Sequence, residues 1–288
     1  MEGEDGGSDD PRAFGKAKWW KRLVILLAGS FMNFVAGLLI MILVCMPMKQ
    51  IVTPVIESFE SYSTVNREGG LQEGDRILSL DGERIILQSD FAMLLSLNPG
   101  DTHDLVVERS GKKLQLDDFT LEKHETVDDA GNAVLRYGMN FAVKDTTLGI
   151  KLDYAWKECI NTVRTVRLSL QMLLTGKAGL RDMTGPVGIV QIMSDTAQAS
   201  DSAASALMNM LYFGGFIAIN LAVMNLLPVP ALDGGRAVAL LLTIAVEAVT
   251  KKKINPKYEG YIHAVGMVLL LGLMAVIMFK DIFMIFKG

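Results

Sequence analysis

One short stretch has the residue types and spacing to do chemistry: NLLPVPALDGG, Asn225 to Gly235. A single carboxylate, Asp233, follows Pro228 and Pro230 and precedes Gly234 and Gly235, at the end of a run with no charge from Ser202 to Leu232. Each proline lacks an N–H donor and stops a helical ladder. A glycine pair permits a tight turn and close backbone approach. In lipid, irregular backbone is tolerated only where protein or a water-filled cavity receives it, and a carboxylate at that depth needs a cation, a proton or a metal as partner. The plainer alternative is that the apolar helix ends at Leu227 and Asp233 merely caps, in solvent, a helix beginning near Gly234.

The elements around this stretch set the frame for both and leave the choice open. The chain has 288 residues, half of them hydrophobic, and a mean hydropathy of +0.32, which is too apolar for an ordinary soluble domain. Leu23–Met46 and Ser202–Leu232 carry no charge, and Gly260–Phe279 carries none beyond a possible one on His263. Each is long enough for a helix to cross the roughly 30 Å of hydrocarbon. Ala237–Val246 is apolar but too short to span and suits a re-entrant or interfacial helix. Lys16, Lys18, Lys21 and Arg22 precede the first run, and Lys251, Lys252, Lys253 and Lys257 precede the last. The positive-inside rule puts both clusters in the cytoplasm, so the polar region between the first two spans is expected outside. A net charge of −4 gives no reason to expect a nucleic-acid partner. The two cysteines, Cys45 and Cys159, form no disulfide framework or metal motif.

In the polar region, IVTPVIESF from Ile51 reads as a strand. Asp81-Gly82 and Ser110-Gly111 read as hairpin turns, and Ser89–Asn98 as a helix. GLQEGDRILSLDGERI, Gly70 to Ile85, resembles the core of a PDZ domain. The resemblance implies an α+β module that binds extended chain ends by adding a strand to a sheet edge. After it, Trp156, Ile160, Val163, Val166, Leu170 and Leu173 recur at helical spacing, which predicts an amphipathic helix on the outer membrane surface, the alternative being a soluble helix packed on the PDZ module.

The pattern N-x-x-P-x-P-x-L-D-G-G resembles the second signature of the site-2 proteases, the intramembrane zinc metalloproteases. DPRAFGKAKWWKRLVILLAGSFMNFVAG and MTGPVGIVQI resemble that family's loop with second span and its G-P-x-G-I segment. The resemblance implies that Asp233 is a zinc ligand, and that Asn225, Pro228, Pro230, Gly234 and Gly235 form a substrate-facing loop. Asn33 would then pack beside the active-site helix, although an interhelical hydrogen bond serves as well. Arg236 would reach the cytoplasmic interface or pair with Asp233.

The expected fold is a multi-span α-helical membrane protein with about three transmembrane helices, a re-entrant or interfacial helix and an inserted extracytoplasmic PDZ domain. Its parts are a cytoplasmic loop at 1–22, a transmembrane helix at 23–48, the PDZ domain at 50–125 and a connecting region with amphipathic helices at 126–200. A transmembrane helix ending in the motif loop follows at 203–235, then the short helix at 236–250 and the last transmembrane helix at 260–284. The implied place is the inner membrane of a bacterial-type cell. The implied substrates are single-span membrane proteins, either regulators or signal-peptide remnants, with peptide ends captured at the PDZ module.

The family's chemistry also needs H-E-x-x-H, two histidines one helical turn apart for zinc and a glutamate as general base. The three histidines here, His103, His124 and His263, do not have that spacing. No catalytic residue is therefore assigned, Zn(2+) is expected in a completed protein rather than on this chain alone, and an upstream helix is expected. Two other readings stay open. One is a non-catalytic PDZ-bearing membrane adaptor; the other is part of a transporter, whose broken helices also place carboxylates on ion paths.

Overall fold

The computed structural model describes residues 16–98, 100–127, 133–177, 179, 185–200, 202–251 and 257–287. Asp10 to Gly15 of the first motif, Met183 and Thr184 of the second, and Lys252 and Lys253 lie outside them. The chain divides into two compact units, residues 45–161 and residues 1–44 with 162–288.

In the unit at 45–161, β1 (Gln50–Phe59), β2 (Arg76–Leu80), β3 (Glu83–Arg84), β4 (Thr102–Arg109) and β5 (Lys112–Thr120) are joined by α2 (Gln88–Leu97), which follows β3. A separate hairpin comes next, β6 (His124–Val127) with β7 (Ala133–Arg136), then β8 (Met139–Asp145). The main sheet runs in the order β5-β4-β2-β1-β8, with β3 paired to β2. Asp81 and Gly82 take φ of 50° and 78°, Ser110 and Gly111 take 49° and 75°, and both pairs close the tight hairpins expected of them. The sheet does not stop near residue 125: β8 pairs along β1 from Gln50↔Asp145 to Phe59↔Met139. Pro54 sits where the β1–β8 register shifts, between Val52 and Ile56, which is where a strand tolerates a missing donor.

Ile56, Leu71, Ile77, Leu80, Leu105 and Val107 are fully buried beneath this sheet. With them is a buried carboxylate. Asp75 accepts from Arg109 at both oxygens, Nε to Oδ1 at 2.8 Å and Nη2 to Oδ2 at 2.7 Å, and from the Gln72 N–H at 2.8 Å. Arg109 also donates to the Gly70 carbonyl, so one guanidinium ties the loop before β2 to the end of β4. Across the sheet, burial works to raise the Asp81 carboxyl. Hydrogen bonds from His103, Asn98 and the Asp104 N–H outweigh it and hold that carboxyl below the usual range.

The second unit is helical: most of α1 (Trp19–Cys45), the later part of α3 (Leu148–Leu174), α4 (Pro186–Gln198), α5 (Ala203–Asn225), α6 (Asp233–Thr250) and α7 (Lys257–Lys287). Among the described residues three helices are long and apolar enough to cross a membrane: Trp19–Cys45, Ala203–Asn225 and Gly260–Met284. α1 and α5 approach through glycine. A Cβ on Gly37 would stand 2.5 Å from the Ile219 side chain and 3.1 Å from the Gly215 carbonyl, and one on Gly215 would meet Ile40 at 3.1 Å. Close backbone approach of this kind is how apolar helices associate where lipid offers no hydrophobic drive. Ala237 and Leu240 of α6 pack with Leu26 of α1, with Leu23, Leu27 and Ile244 around them. At the far end of α7, the buried Asp281 accepts from the N–H groups of Gly185 and Gly188 at 2.9 and 3.0 Å, satisfying the first turn of α4 with a negative charge.

Candidate functional site

The site is built where α5 stops. Its last residue is Asn225, the motif loop takes up 226–232, and α6 starts at Asp233. Prolines at Pro228 and Pro230 remove two donors, so five N–H groups remain to be satisfied. Leu226 and Leu227 donate back to Val223 and Met224, Val229 to Leu227, and Leu232 to Val229. The fifth, Ala231, donates 2.9 Å to Nδ1 of His263 on α7. The loop is therefore a folded element with its backbone donors paired, which is the condition for irregular backbone inside an apolar protein.

The glycine pair has a direct cause. A Cβ on Gly234 would run into the backbone of Leu226 and Leu227, and one on Gly235 into the carbonyl of Val229. The loop folds back so tightly over the start of α6 that only glycine fits. Gly235→Ala should cost about 1–3 kcal/mol, read as a lower thermal midpoint of the chain in micelles. Gly214→Ala, whose added methyl meets nothing within 4 Å, should leave the midpoint in place.

Asp233 does not act as the cap of the solvent alternative. The N-cap of α6 is Leu232, no side-chain cap bond is made, and Asp233 is already inside the first turn. The carboxylate instead faces α1: a Cβ on Gly29 would stand 3.5 Å from Asp233 Oδ2. Gly29, Asn33 and Gly37 follow one another at four-residue spacing, one face of α1, and that face serves both Asp233 and the α5 crossing. Asn225 and Asp233 are half-buried, while Pro228 and Pro230 are exposed. Beside the end of α5, an apolar cavity of ≈ 400 Å³ is lined by Leu27, Ser30, Phe34, Ala222, Val223 and Leu226 among others, and the buried Ser30 hydroxyl has no hydrogen-bond partner in it.

His263 and Gly266 were not legible as parts of this site. A Cβ on Gly266 would stand 2.5 Å from the Pro230 side chain and 2.9 Å from its carbonyl, so α7 touches the loop at two points one turn apart. The available signals were a histidine in an otherwise apolar helix and a glycine three residues on.

A zinc site needs more than this loop offers. Among the described residues no group of three His, Cys, Asp or Glu could hold a metal ion, and the sequence contains no H-E-x-x-H. The residues present supply one carboxylate and do not by themselves fit a catalytic zinc.

The family model for Peptidase family M50 matches residues 3–273. This chain belongs to that family, the site-2 proteases. The Regulator of sigma-W protease RasP of Bacillus subtilis is 31% identical over 274 residues, 94% of this chain and 61% of RasP. Zinc metalloprotease RasP of Shouchella clausii is 32% identical over 283 residues, 96% of this chain and 62% of its own length. A Clostridium acetobutylicum relative is 31% identical over 285 residues, 98% of this chain and 78% of its own. The M50 chain thus spans about three fifths of the RasP proteins it matches. Its three apolar helices make it a membrane protein, of a family whose named members are zinc metalloproteases.

Proposed function

We propose that this M50 chain works as an intramembrane zinc metalloendopeptidase once a helix bearing H-E-x-x-H completes its site. Asp233 is then the third zinc ligand, and the loop at Asn225, Pro228, Pro230, Gly234 and Gly235 receives the substrate backbone. The substrates are transmembrane segments of membrane-bound regulators or signal-peptide remnants. The observation that carries this reading is the position of Asp233 against Gly29. Gly29 lies ten residues into α1 from Trp19, or ~15 Å at a rise of ~1.5 Å per residue. With Trp19 and Trp20 at the interface, that is about half the depth of the ~30 Å hydrocarbon core. A carboxylate held at mid-depth by a closed loop suits hydrolysis within a membrane. α6 then leads from that depth back towards the cytoplasmic face as a re-entrant helix. Fusing a helix with H-E-x-x-H ahead of residue 1 should produce cleavage of a single-span test substrate, and the unfused 288 residues should give none. Cleavage by neither protein would count against the reading.

The strand order of the unit at 45–161 supports a PDZ-type module. Its edge strand β8 lies beside α2 through a Phe91–Phe141 ring contact at 5.8 Å, the place where an extended peptide end would add. The lysine clusters of the sequence support a location of the module outside the inner membrane. On α3, Leu148, Leu152, Trp156 and Ile160 form an exposed apolar stripe that suits the outer membrane surface. Because Cys45 and Cys159 are buried, a cysteine introduced at Ser110 is a clean probe. An impermeant thiol reagent should label it in cells whose outer permeability barrier is open but whose inner membrane is intact. Labelling only after the inner membrane is breached would reverse the topology.

The adaptor reading is favoured by one observation, the missing histidine pair. It predicts peptide capture at β8 and no cleavage even in the fused protein.

A further inference from the structure

We infer that His263 is a positioning residue that clamps the Asp233 loop to α7 by accepting a hydrogen bond. The inference rests on the reading of that loop as the site and assigns it a support that lies outside the motif.

Ala231 has φ of 80°, a left-handed conformation that a residue with a Cβ adopts at a cost. Ala231 is the third residue of a turn, Val229 to Leu232, closed by the Leu232 N–H on the Val229 carbonyl with Pro230 second, the arrangement of a type II turn, which needs positive φ at that place. Its N–H is also the one loop donor paired by a side chain rather than by backbone. The turn accounts for the φ and leaves the Ala231 N–H outside its closing bond, and His263 Nδ1 receives that N–H at 2.9 Å. A backbone conformation out of its preferred region persists only where its surroundings over-determine it. Here the surroundings are the turn's own hydrogen bond and two contacts from α7, His263 on the Ala231 N–H and Gly266 on Pro230. Two residues after Ala231 comes Asp233, so any swing of this peptide moves the carboxylate relative to Gly29.

The chemistry fixes the state of the ring. Nδ1 accepts, so it carries a lone pair, and the proton of the neutral imidazole is on Nε2. Asparagine can replace this function, because its Oδ1 stands about where Nδ1 does. Leucine fills similar space and cannot accept.

Amide hydrogen exchange on the purified chain in lipid nanodiscs reads the clamp without metal or turnover. His263→Leu should speed exchange in the segment covering 226–236 about tenfold, the worth of one lost hydrogen bond. His263→Asn should stay within about twofold of the parent. Gly266→Ala keeps the acceptor but drives a Cβ into Pro230, and should also speed exchange in the loop. Asp233→Ala should leave the loop as slow as in the parent. Parent-like exchange in His263→Leu would overturn the inference. So would His263→Asn exchanging as fast as His263→Leu, since ring packing rather than hydrogen-bond acceptance would then hold the loop. Failure of the fused protein to cleave would refute the protease reading and leave this result standing, while a loop indifferent to His263 would do the reverse.

Discussion

Asp233→Asn, placed in the chain fused to a helix with H-E-x-x-H, should lose cleavage by roughly 100-fold or more. Substituting a group that merely orients a metal ligand typically costs about 10- to 100-fold in affinity or activity, and a ligand itself should cost at least as much. The exchange keeps size and a carbonyl acceptor but removes the charge. Asp233 is the acidic residue in the first turn of α6, where its charge contributes only about 0.3–1 kcal/mol to the helix, so expression and membrane insertion should stay near parent levels. Asn225→Ala should cost less, roughly tenfold, in line with one hydrogen bond to a substrate strand. Initial cleavage rates of a single-span substrate, normalised to inserted protein, separate the two. Full activity in Asp233→Asn would remove the metal role.

Arg109→Leu should destabilise the unit at 45–161 by about 3 kcal/mol. Asp75 is fully buried and takes two of its hydrogen bonds from this one guanidinium. Removing one partner of a buried pair strands a charge, which is far costlier than losing a surface contact. The change also frees the Gly70 carbonyl, loosening the loop that carries Leu71 into the core. Against a typical domain stability of about 5–15 kcal/mol this is a large fraction. The urea midpoint of the unit's tryptic protection should fall clearly in Arg109→Leu, and Asp75→Asn in that background should recover part of it. An unchanged midpoint would mean that water already solvates Asp75.

Much of this was legible in the sequence because its cause is local. The Asp81-Gly82 and Ser110-Gly111 turns need residues that tolerate positive φ, and such residues stand there. The break after Asn225 was visible because proline cannot donate. The rest depended on partners far away in the chain. β8 is a short strand without strong alternation, and it exists because β1, some ninety residues earlier, has a free edge. The helical period of α3 was readable, but not which face it buries: Ala155, Cys159, Thr162 and Val166 turn inward while Trp156 and Ile160 stay exposed. At the site, the motif named Asp233 and its glycines. Gly29, His263 and Gly266 were hidden, because a glycine or a lone histidine in an apolar helix states a need without naming the partner that meets it.

If Asp233 completes a zinc site inside the membrane, the zinc content of the purified protein shows it. The fused protein, purified in micelles and dialysed against a weak chelator, should retain about one zinc per chain, as a site with three protein ligands does. The Asp233→Ala version should retain almost none, and so should the 288 residues without the added helix. Stoichiometric zinc in the Asp233→Ala protein would contradict the claim.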